Sequence, residues 1–409
     1  MSFFIYKIVL KLFKFFHWVL SFVNPEIRQL YNLKLSPSNE IIHWRSQNSQ
    51  NKLIIIHCAS LGEFEMALPV FESLQNKLDS DFLFTFFSAS GYNYAKIPKS
   101  ARKSYLPFDN LKEIENFLNL INPDLFVFVK YEYWFNLLNR LDELNIPYGF
   151  INVLNQKLPT IFNFKFTRNL VNKSSFYTVT NQKTKEIFES IFDIKILIFN
   201  DLRYVKGVID SKNTDSSKYQ ILKKHGYKNV IVCGSIYPAD FEIIENSITS
   251  NPETLWLIAP HKINTPFDAR IKSKFPNCIN LSSILSNQTF TLNSNVVLID
   301  TIGDLKYIYS FGTLAYIGGG FDKGIHNVIE PISYNIPVIV GPKFDAFPEV
   351  IKLISDGKIF AIVNVLDFER KFCNIQEEQS IDKMNINLNE SHQLNNLEKL
   401  TSYIIRNEI

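Results

Sequence analysis

Residues 53–88, LIIIHCASLGEFEMALPVFESLQNKLDSDFLFTFFS, set the fold class. LIIIHCAS (53–60) is a continuous apolar run and reads as a strand. FEMALPVFESLQNKL (64–78) reads as a helix and DFLFTFFS (81–88) as a second strand. Strands that are apolar on both faces belong to a parallel sheet covered by helices on both sides. DLFVFVK (124–130), YGFINV (148–153) and FYTVT (176–180) continue the pattern. A polar stretch, GVIDSKNTDSSKYQ (207–220), reads as a linker. The alternation restarts in NVIVCGS (229–235), TLWLIAP (254–260), NVVLID (295–300), TLAYIGG (313–319) and PVIVGP (337–342). The expected fold is α/β, with two doubly wound Rossmann-like domains facing a cleft. The first spans 25–206 and the second 207–409. Within the second, 375–398 is polar and Asn/Gln-rich and reads as a loose connection to a terminal helix, LEKLTSYIIRNEI.

Composition narrows the function. The chain has 409 residues and is 46% hydrophobic, which excludes a disordered or fibrous protein. Forty-three basic residues against forty acidic ones give +3, too balanced for a general nucleic-acid binder. Cys58, Cys233, Cys278 and Cys373 form no C-x-x-C pair, which argues against a disulfide framework or a zinc site. The whole formal charge lies in residues 1–23, which hold Lys7, Lys11 and Lys14 and no acid. On a helix, these lysines with Trp18 and Ser21 share one narrow face, and Ile5, Val9, Leu12, Phe16 and Leu20 lie opposite. Such a helix over residues 1–24, ended by Asn24-Pro25, suits the plane of a membrane interface, with lysines toward anionic headgroups.

Seven of the fourteen glycines lie between Gly303 and Gly341. TLAYIGGGFDKGIHNVIEP (313–331) reads as strand, glycine turn and a helix starting near His326. Glycines admit close backbone approach to a ligand, and a helix N-terminus offers N–H groups to an anion. Glu330 is placed to accept from ribose hydroxyls. The stretch is neither G-x-G-x-x-G nor a P-loop, since Lys323 occupies the third glycine position and no G-K-[ST] occurs. Gly303 heads a second strand-to-helix turn. In the first domain, Glu63 follows a strand at the sheet's carboxyl edge. It reads either as a first-turn helix residue or as a base for an acceptor hydroxyl. His57 reads as a satisfied strand residue.

Six ordered motifs resemble one family. HCASLGE (57–63) is similar to H-A-x-S-x-G-E, KYEYWFN (130–136) to K-x-E-x-W-x-N, and NDLRY (200–204) to G-N-L-K-F. IGDL (302–305), GGGFDKGIHNVIEP (318–331) and GPKFDAFPEV (341–350) complete the set. The chain resembles the 3-deoxy-D-manno-octulosonic acid (Kdo) transferases, GT-B glycosyltransferases that add Kdo to the lipid A precursor. The resemblance implies Glu63 as general base, with Glu132 and Arg203 stabilising the transition state. It implies CMP binding by Pro260, His261, Ile302, Gly303, Asp304, Asn327, Val328, Ile329 and Glu330. It implies CMP-Kdo as donor, a lipid A precursor as acceptor, and no cofactor or metal. It further implies a membrane surface but no nucleic acid or obligate protein partner, at the cytoplasmic face of the inner membrane. The chain departs from the family at Ala259-Pro260-His261, which lacks an arginine, at Leu154, where a basic residue is lost, at Ile325 and at Asp304. Lys262 and Arg270 are the candidate replacements. The competing readings are another GT-B-like enzyme, such as a nucleotide-sugar 2-epimerase, and a non-catalytic membrane-associated binding protein.

Overall fold

The computed structural model describes residues 2–154, 160–213, 217–223, 226–286, 293–345, 347–377 and 390–408. Two compact units emerge, Met1–Lys206 with Glu390–Ile409, and Gly207–Asn389. The first holds seven strands: β1 Leu53–Cys58, β2 Asp81–Phe86, β3 Ala101–Tyr105, β4 Leu125–Val129, β5 Tyr148–Val153, β6 Phe176–Val179 and β7 Ile196–Ile198. Their order is β3-β2-β1-β4-β5-β6-β7 and every pairing is parallel. The second holds β8 Asn229–Ile236, β9 Thr254–Pro260, β10 Ile279–Asn280, β11 Val296–Leu298, β12 Leu314–Ile317, β13 Val338–Val340 and β14 Ile359–Ala361. Their order is β10-β11-β9-β8-β12-β13-β14, again parallel throughout. Both sheets are doubly wound. The winding reverses between β1 and β4 in one and between β8 and β12 in the other.

Alternate residues of neighbouring strands stack their rings on one face of the first sheet. Phe126 and Phe128 lie 4.7 Å apart, Phe128 and Phe150 5.3 Å, and Phe150 and Tyr177 5.4 Å. Each such pair adds about 0.5–1.5 kcal/mol beyond the area it buries.

Three expectations change. The terminal helix, Glu390–Glu408, belongs to the first unit and begins inside the stretch read as a loose connection. Leu397, Leu400 and Ile404 form a buried stripe that needs a partner, and Thr401 Oγ1 lies 3.0 Å from Ser73 Oγ on the helix Leu61–Gln75. Residues 378–389 of that stretch lie outside the described residues. The supposed linker is largely structured, because Leu202–Asn213 is helical with Val205 and Val208 buried, and Ser217–Lys223 forms a 3-10 helix. Finally, the glycine turn leads to a helix that starts only at Ile329 and runs five residues, Ile329–Ser333.

The glycines after β12 serve chain packing. A Cβ on Gly320 would lie 2.6 Å from Gly341 Cα, and one on Gly318 would lie 2.4 Å from the Ser235 carbonyl oxygen. Gly319 has φ +91°, a region that favours glycine.

The N-terminal helix, Ser2–Val23, ends where expected, and Pro25–Leu35 follows at once. No helix among the described residues is long and apolar enough to cross a membrane. Val9, Leu12, Phe16 and Leu20 are exposed. The lysine face also meets the protein. Lys14 pairs with Glu113. Lys7 and Lys11, with Phe13, Phe87, Phe108 and Trp134, line a cavity of about 350 Å³. The Tyr6 hydroxyl donates to Asp109 Oδ2. Asp109 also accepts from the Asn136 and Leu137 N–H groups at 3.1 and 2.9 Å, capping the helix Phe135–Glu143 from outside.

Gly320→Ala is expected to lower stability by about 1–3 kcal/mol, since backbone blocks the new methyl group. Urea denaturation of both proteins checks this, and an unchanged midpoint would contradict the packing account.

Candidate active site

The loops leaving β1 and β4 bring four ionisable groups together. Ser60 caps the helix Leu61–Gln75, and its side chain accepts from the Glu63 N–H at 3.4 Å. Glu63 turns back so that Oε2 accepts from the Ala59 N–H at 2.6 Å, one residue short of a capping box. Its Oε1 has no hydrogen-bond partner among the described residues. One carboxylate oxygen of Glu63 thus caps the chain and the other is left open. Burial raises the Glu63 carboxyl above its ordinary range, and the Glu132 charge adds to this. Lys130, the Ala59 bond and His57 oppose it.

Glu132 follows β4 and Lys130, whose φ of +65° redirects the chain. Its Oε2 accepts from Trp134 Nε1 at 2.9 Å and lies 3.4 Å from His57 Nε2. The Trp134 ring is in turn packed against Phe87, centroids 4.6 Å apart. Glu132 Oε1, like Glu63 Oε1, makes no hydrogen bond among the described residues.

Arg203 grips Asp201. Its Nε lies 3.1 Å from both carboxylate oxygens and Nη2 lies 2.7 Å from Oδ2. Burial alone would raise the Asp201 carboxyl. The charge and hydrogen bonds of Arg203, with a smaller effect from Lys130, hold it below its ordinary range. Asn152, at φ +59°, lies 3.5 Å from Asp201 and accepts from the Leu202 N–H at 2.9 Å. Lys130 thus acts on both Glu63 and Asp201 and links Arg203 electrostatically to the carboxylates. Sequence reasoning had missed Lys130, Asp201 and Asn152 as parts of the site. The signal was there, because each lies within or beside a motif that ends a strand.

The second unit builds a different site on the same plan. Tyr237 after β8, His261 after β9 and His326 after β12 form a stack. Tyr237 and His261 lie 4.5 Å apart, His261 and His326 4.6 Å, and Tyr237 and His326 5.7 Å. Burial lowers both imidazoles, with Lys262 and Lys323 adding to the effect on His261. Tyr237, His261, Lys262 and Lys323 line a cavity of about 260 Å³. Flat rings beside two ammonium groups suit a base and an anion. Asp240 ties the two loops together, accepting from the Tyr237 and Gly319 N–H groups at 3.1 and 2.7 Å.

The remaining expected donor residues differ in what they offer. Ile302 is 77% exposed and Gly303, at φ +86°, has open space around it. Asp304 is already engaged by Tyr219 and Lys218, at 2.5 and 3.0 Å. Asn327 accepts from the Ile329 N–H at 3.0 Å and donates to Glu330 at 3.1 Å. Pro260, Val328 and Ile329 are buried, so their side chains are not on offer to a ligand. Of the two replacement cations, Lys262 lines the cavity, and Arg270 instead donates to Glu242 at 3.1 Å. Among the described residues no cluster of three or more His, Cys, Asp or Glu forms a metal site.

Residues 37–205 match the family described as 3-deoxy-D-manno-octulosonic-acid transferase (kdotransferase). A bifunctional glycosyltransferase/methyltransferase of Fusobacterium nucleatum is 26% identical over 375 residues, which cover 88% of this chain and 58% of that protein. The chain therefore matches less than two thirds of that relative's length. The 3-deoxy-D-manno-octulosonic acid transferase of Haemophilus influenzae is 26% identical over 329 residues, 74% of each chain. Among solved structures, a UDP-GlcNAc 2-epimerase from Neisseria meningitidis shares the fold, with a TM-score of 0.62 at 17% identity over 87% of this chain and 100% of that one. The family match covers the segment that carries Glu63, Glu132 and Arg203; over it the chain is similar to the Kdo transferases, and its two doubly wound sheets have the GT-B fold.

Proposed function

We propose that this chain transfers Kdo from CMP-Kdo to the lipid A precursor in lipopolysaccharide biosynthesis, inverting the anomeric carbon. The observation that carries the reading is the pair of carboxylates at the β1/β4 reversal, each with one oxygen fixed by the protein and one left open. Glu63 Oε1 takes the proton of the acceptor hydroxyl. The acceptor oxygen attacks the anomeric carbon, and the bond to the CMP phosphate breaks with its electron pair going to the phosphate. A carboxylate raised by burial is a stronger base than an ordinary glutamate, which suits this step. Glu132 and Arg203 supply fixed charge to the transition state. CMP is assigned to His261, the Ile302–Gly303–Asp304 turn and the Asn327–Glu330 segment, with the buried Pro260 holding the backbone just before His261. Lys262 and Lys323 stand in for the family's missing arginine. The reaction as written uses neither metal nor cofactor.

The acceptor's lipid character is supported by the first helix. Its exposed Val9, Leu12, Phe16 and Leu20 suit an interfacial seat at the cytoplasmic face of the inner membrane. The cavity beneath it offers Lys7 and Lys11 to an anionic headgroup, and Trp134 joins its wall to Glu132.

CMP release from CMP-Kdo, measured with and without tetra-acylated lipid A precursor, tests the reading. Acceptor-dependent release is expected, and Glu63→Gln should cut it by roughly 10²–10⁴-fold. Near-normal turnover in that variant would reject the base assignment. In the wild type the acidic limb of kcat/KM should lie above the ordinary carboxylate range. Glu63 must be ionised to act, and its raised pKa means that activity fails earlier as pH falls. Reversing Lys7 and Lys11 to Glu should weaken binding to anionic vesicles, read by flotation, without loss of CMP binding.

Arg203→Ala should also destabilise the fold by about 3 kcal/mol, because it leaves Asp201 buried without its partner. The sign follows from the lowered Asp201 pKa. The wild-type pair stabilises above the ordinary aspartate range and loses this as pH falls through the folded-state value. Denaturation curves of both proteins against pH should converge in acid, and a constant gap would contradict the pairing.

A further inference from the structure

His57 has no part in the transfer as written. Its ring is fully buried at the end of β1. Nδ1 lies 3.2 Å from the Thr85 carbonyl oxygen and 3.0 Å from Thr85 Oγ1. The carbonyl oxygen only accepts, and taking both Thr85 oxygens as acceptors puts a proton on Nδ1. Nε2 is also buried and has no hydrogen-bond partner among the described residues. What it faces is Glu132 Oε2 at 3.4 Å, within ion-pair distance. In the neutral ring with Nδ1 protonated, Nε2 would present a lone pair to a carboxylate oxygen. Two acceptors opposed in a buried place are costly, so a proton belongs between them. Oε2 also accepts from Trp134 Nε1 at 2.9 Å, which favours the ionised form of Glu132 and puts the shared proton on Nε2.

We propose that His57 is a positioning residue that, as an imidazolium, clamps Glu132 Oε2 together with Trp134, leaves Oε1 open to the substrate, and lets Glu63 and Glu132 be ionised side by side. The charged groups that face this centre are Glu63 from the helix Leu61–Gln75, and Lys130 and Glu132 from the segment after β4; the buried Cys58 thiol, on the next residue of β1, also feels both carboxylates. Lys130 is the other positive charge. It acts on both Glu63 and Asp201, so it is shared between them, whereas the His57 imidazolium lies against Glu132.

The kinetic part of the test rests on the proposed Kdo transfer, and the spectroscopic part does not. In the full chain with ¹⁵N-labelled histidine, the difference between wild type and His57→Gln assigns His57 among the seven histidines. Near pH 7.5 both of its ring nitrogens should be protonated, and Glu132→Gln should return the ring to a single proton. A bare Nδ1 or a bare Nε2 in the wild type, or a ring unchanged by Glu132→Gln, overturns the inference. If His57→Gln fails to fold, assignment through Thr85→Val keeps the Glu132→Gln comparison decisive. In acceptor-dependent CMP release, His57→Gln should lower kcat roughly 10–100-fold with little change in donor KM, and should lose the alkaline limb of the wild-type profile. An alkaline limb that persists in His57→Gln also overturns it. A wild type with a doubly protonated His57 but no Kdo transfer would defeat the proposed reaction and leave the charge assignment standing.

Discussion

A parallel sheet wound in both directions has one place where neighbouring strands send their connections to opposite faces. Right-handed crossovers impose this, and the two departing loops leave a gap between the strand ends. In this chain both gaps are furnished. Between β1 and β4 stand Ala59, Glu63, Lys130, Glu132 and the buried His57. Between β8 and β12, with β9 alongside, stand Tyr237, His261 and His326. The register pairing His57 with Phe128 fixes how far each loop begins from its sheet, and hence where the side chains arrive.

Each unit also contains carboxylates that are finished and carboxylates that are not. Asp201, Asp240 and Asp109 have both oxygens bonded by the protein and hold loops in place. Glu63 and Glu132 are each bonded through one oxygen only. Burying two half-bonded carboxylates close together costs stability, and burial first, then the Glu132 charge, raises the Glu63 carboxyl. Lys130 and His57 offset part of that cost without covering the open oxygens. This distinction separates residues that build the site from residues that use it, and it is a property of hydrogen-bond partners alone.

The central strands were legible because each is a continuous apolar run. β3, β7, β10 and β14 were not. They are short or polar and lie at or beside sheet edges, where one flank is uncovered and an apolar run is not required. The terminal helix was legible as a helix, but its docking on Ser73 was not, because an amphipathic stripe names no partner. Glu63, Glu132 and Arg203 could be picked out through the motifs. Asp201, two residues before Arg203, could not be given its role, since a bidentate bond depends on the turn at Asn152 and Leu202. His57 was read as a satisfied strand residue. This holds for Nδ1 and fails for Nε2, a difference invisible without the Glu132 carboxylate in place. The glycines around 318–320 pointed correctly to close approach. What approaches is the backbone at Gly341 and Ser235.

Asp109 sits where three separate parts of the chain meet. It lies beyond β3, it caps the helix that follows Trp134, and it receives the hydroxyl of Tyr6 from the first helix. Burial pushes its carboxyl up to about 6 against the pull of these three donors. The first helix is therefore no detachable tail. Trimming it to obtain a more tractable protein would strip one donor from a buried acid and loosen the start of the helix beside Glu132. Shortening the chain at its first helix and preserving the surroundings of Glu132 are, in this molecule, opposed aims.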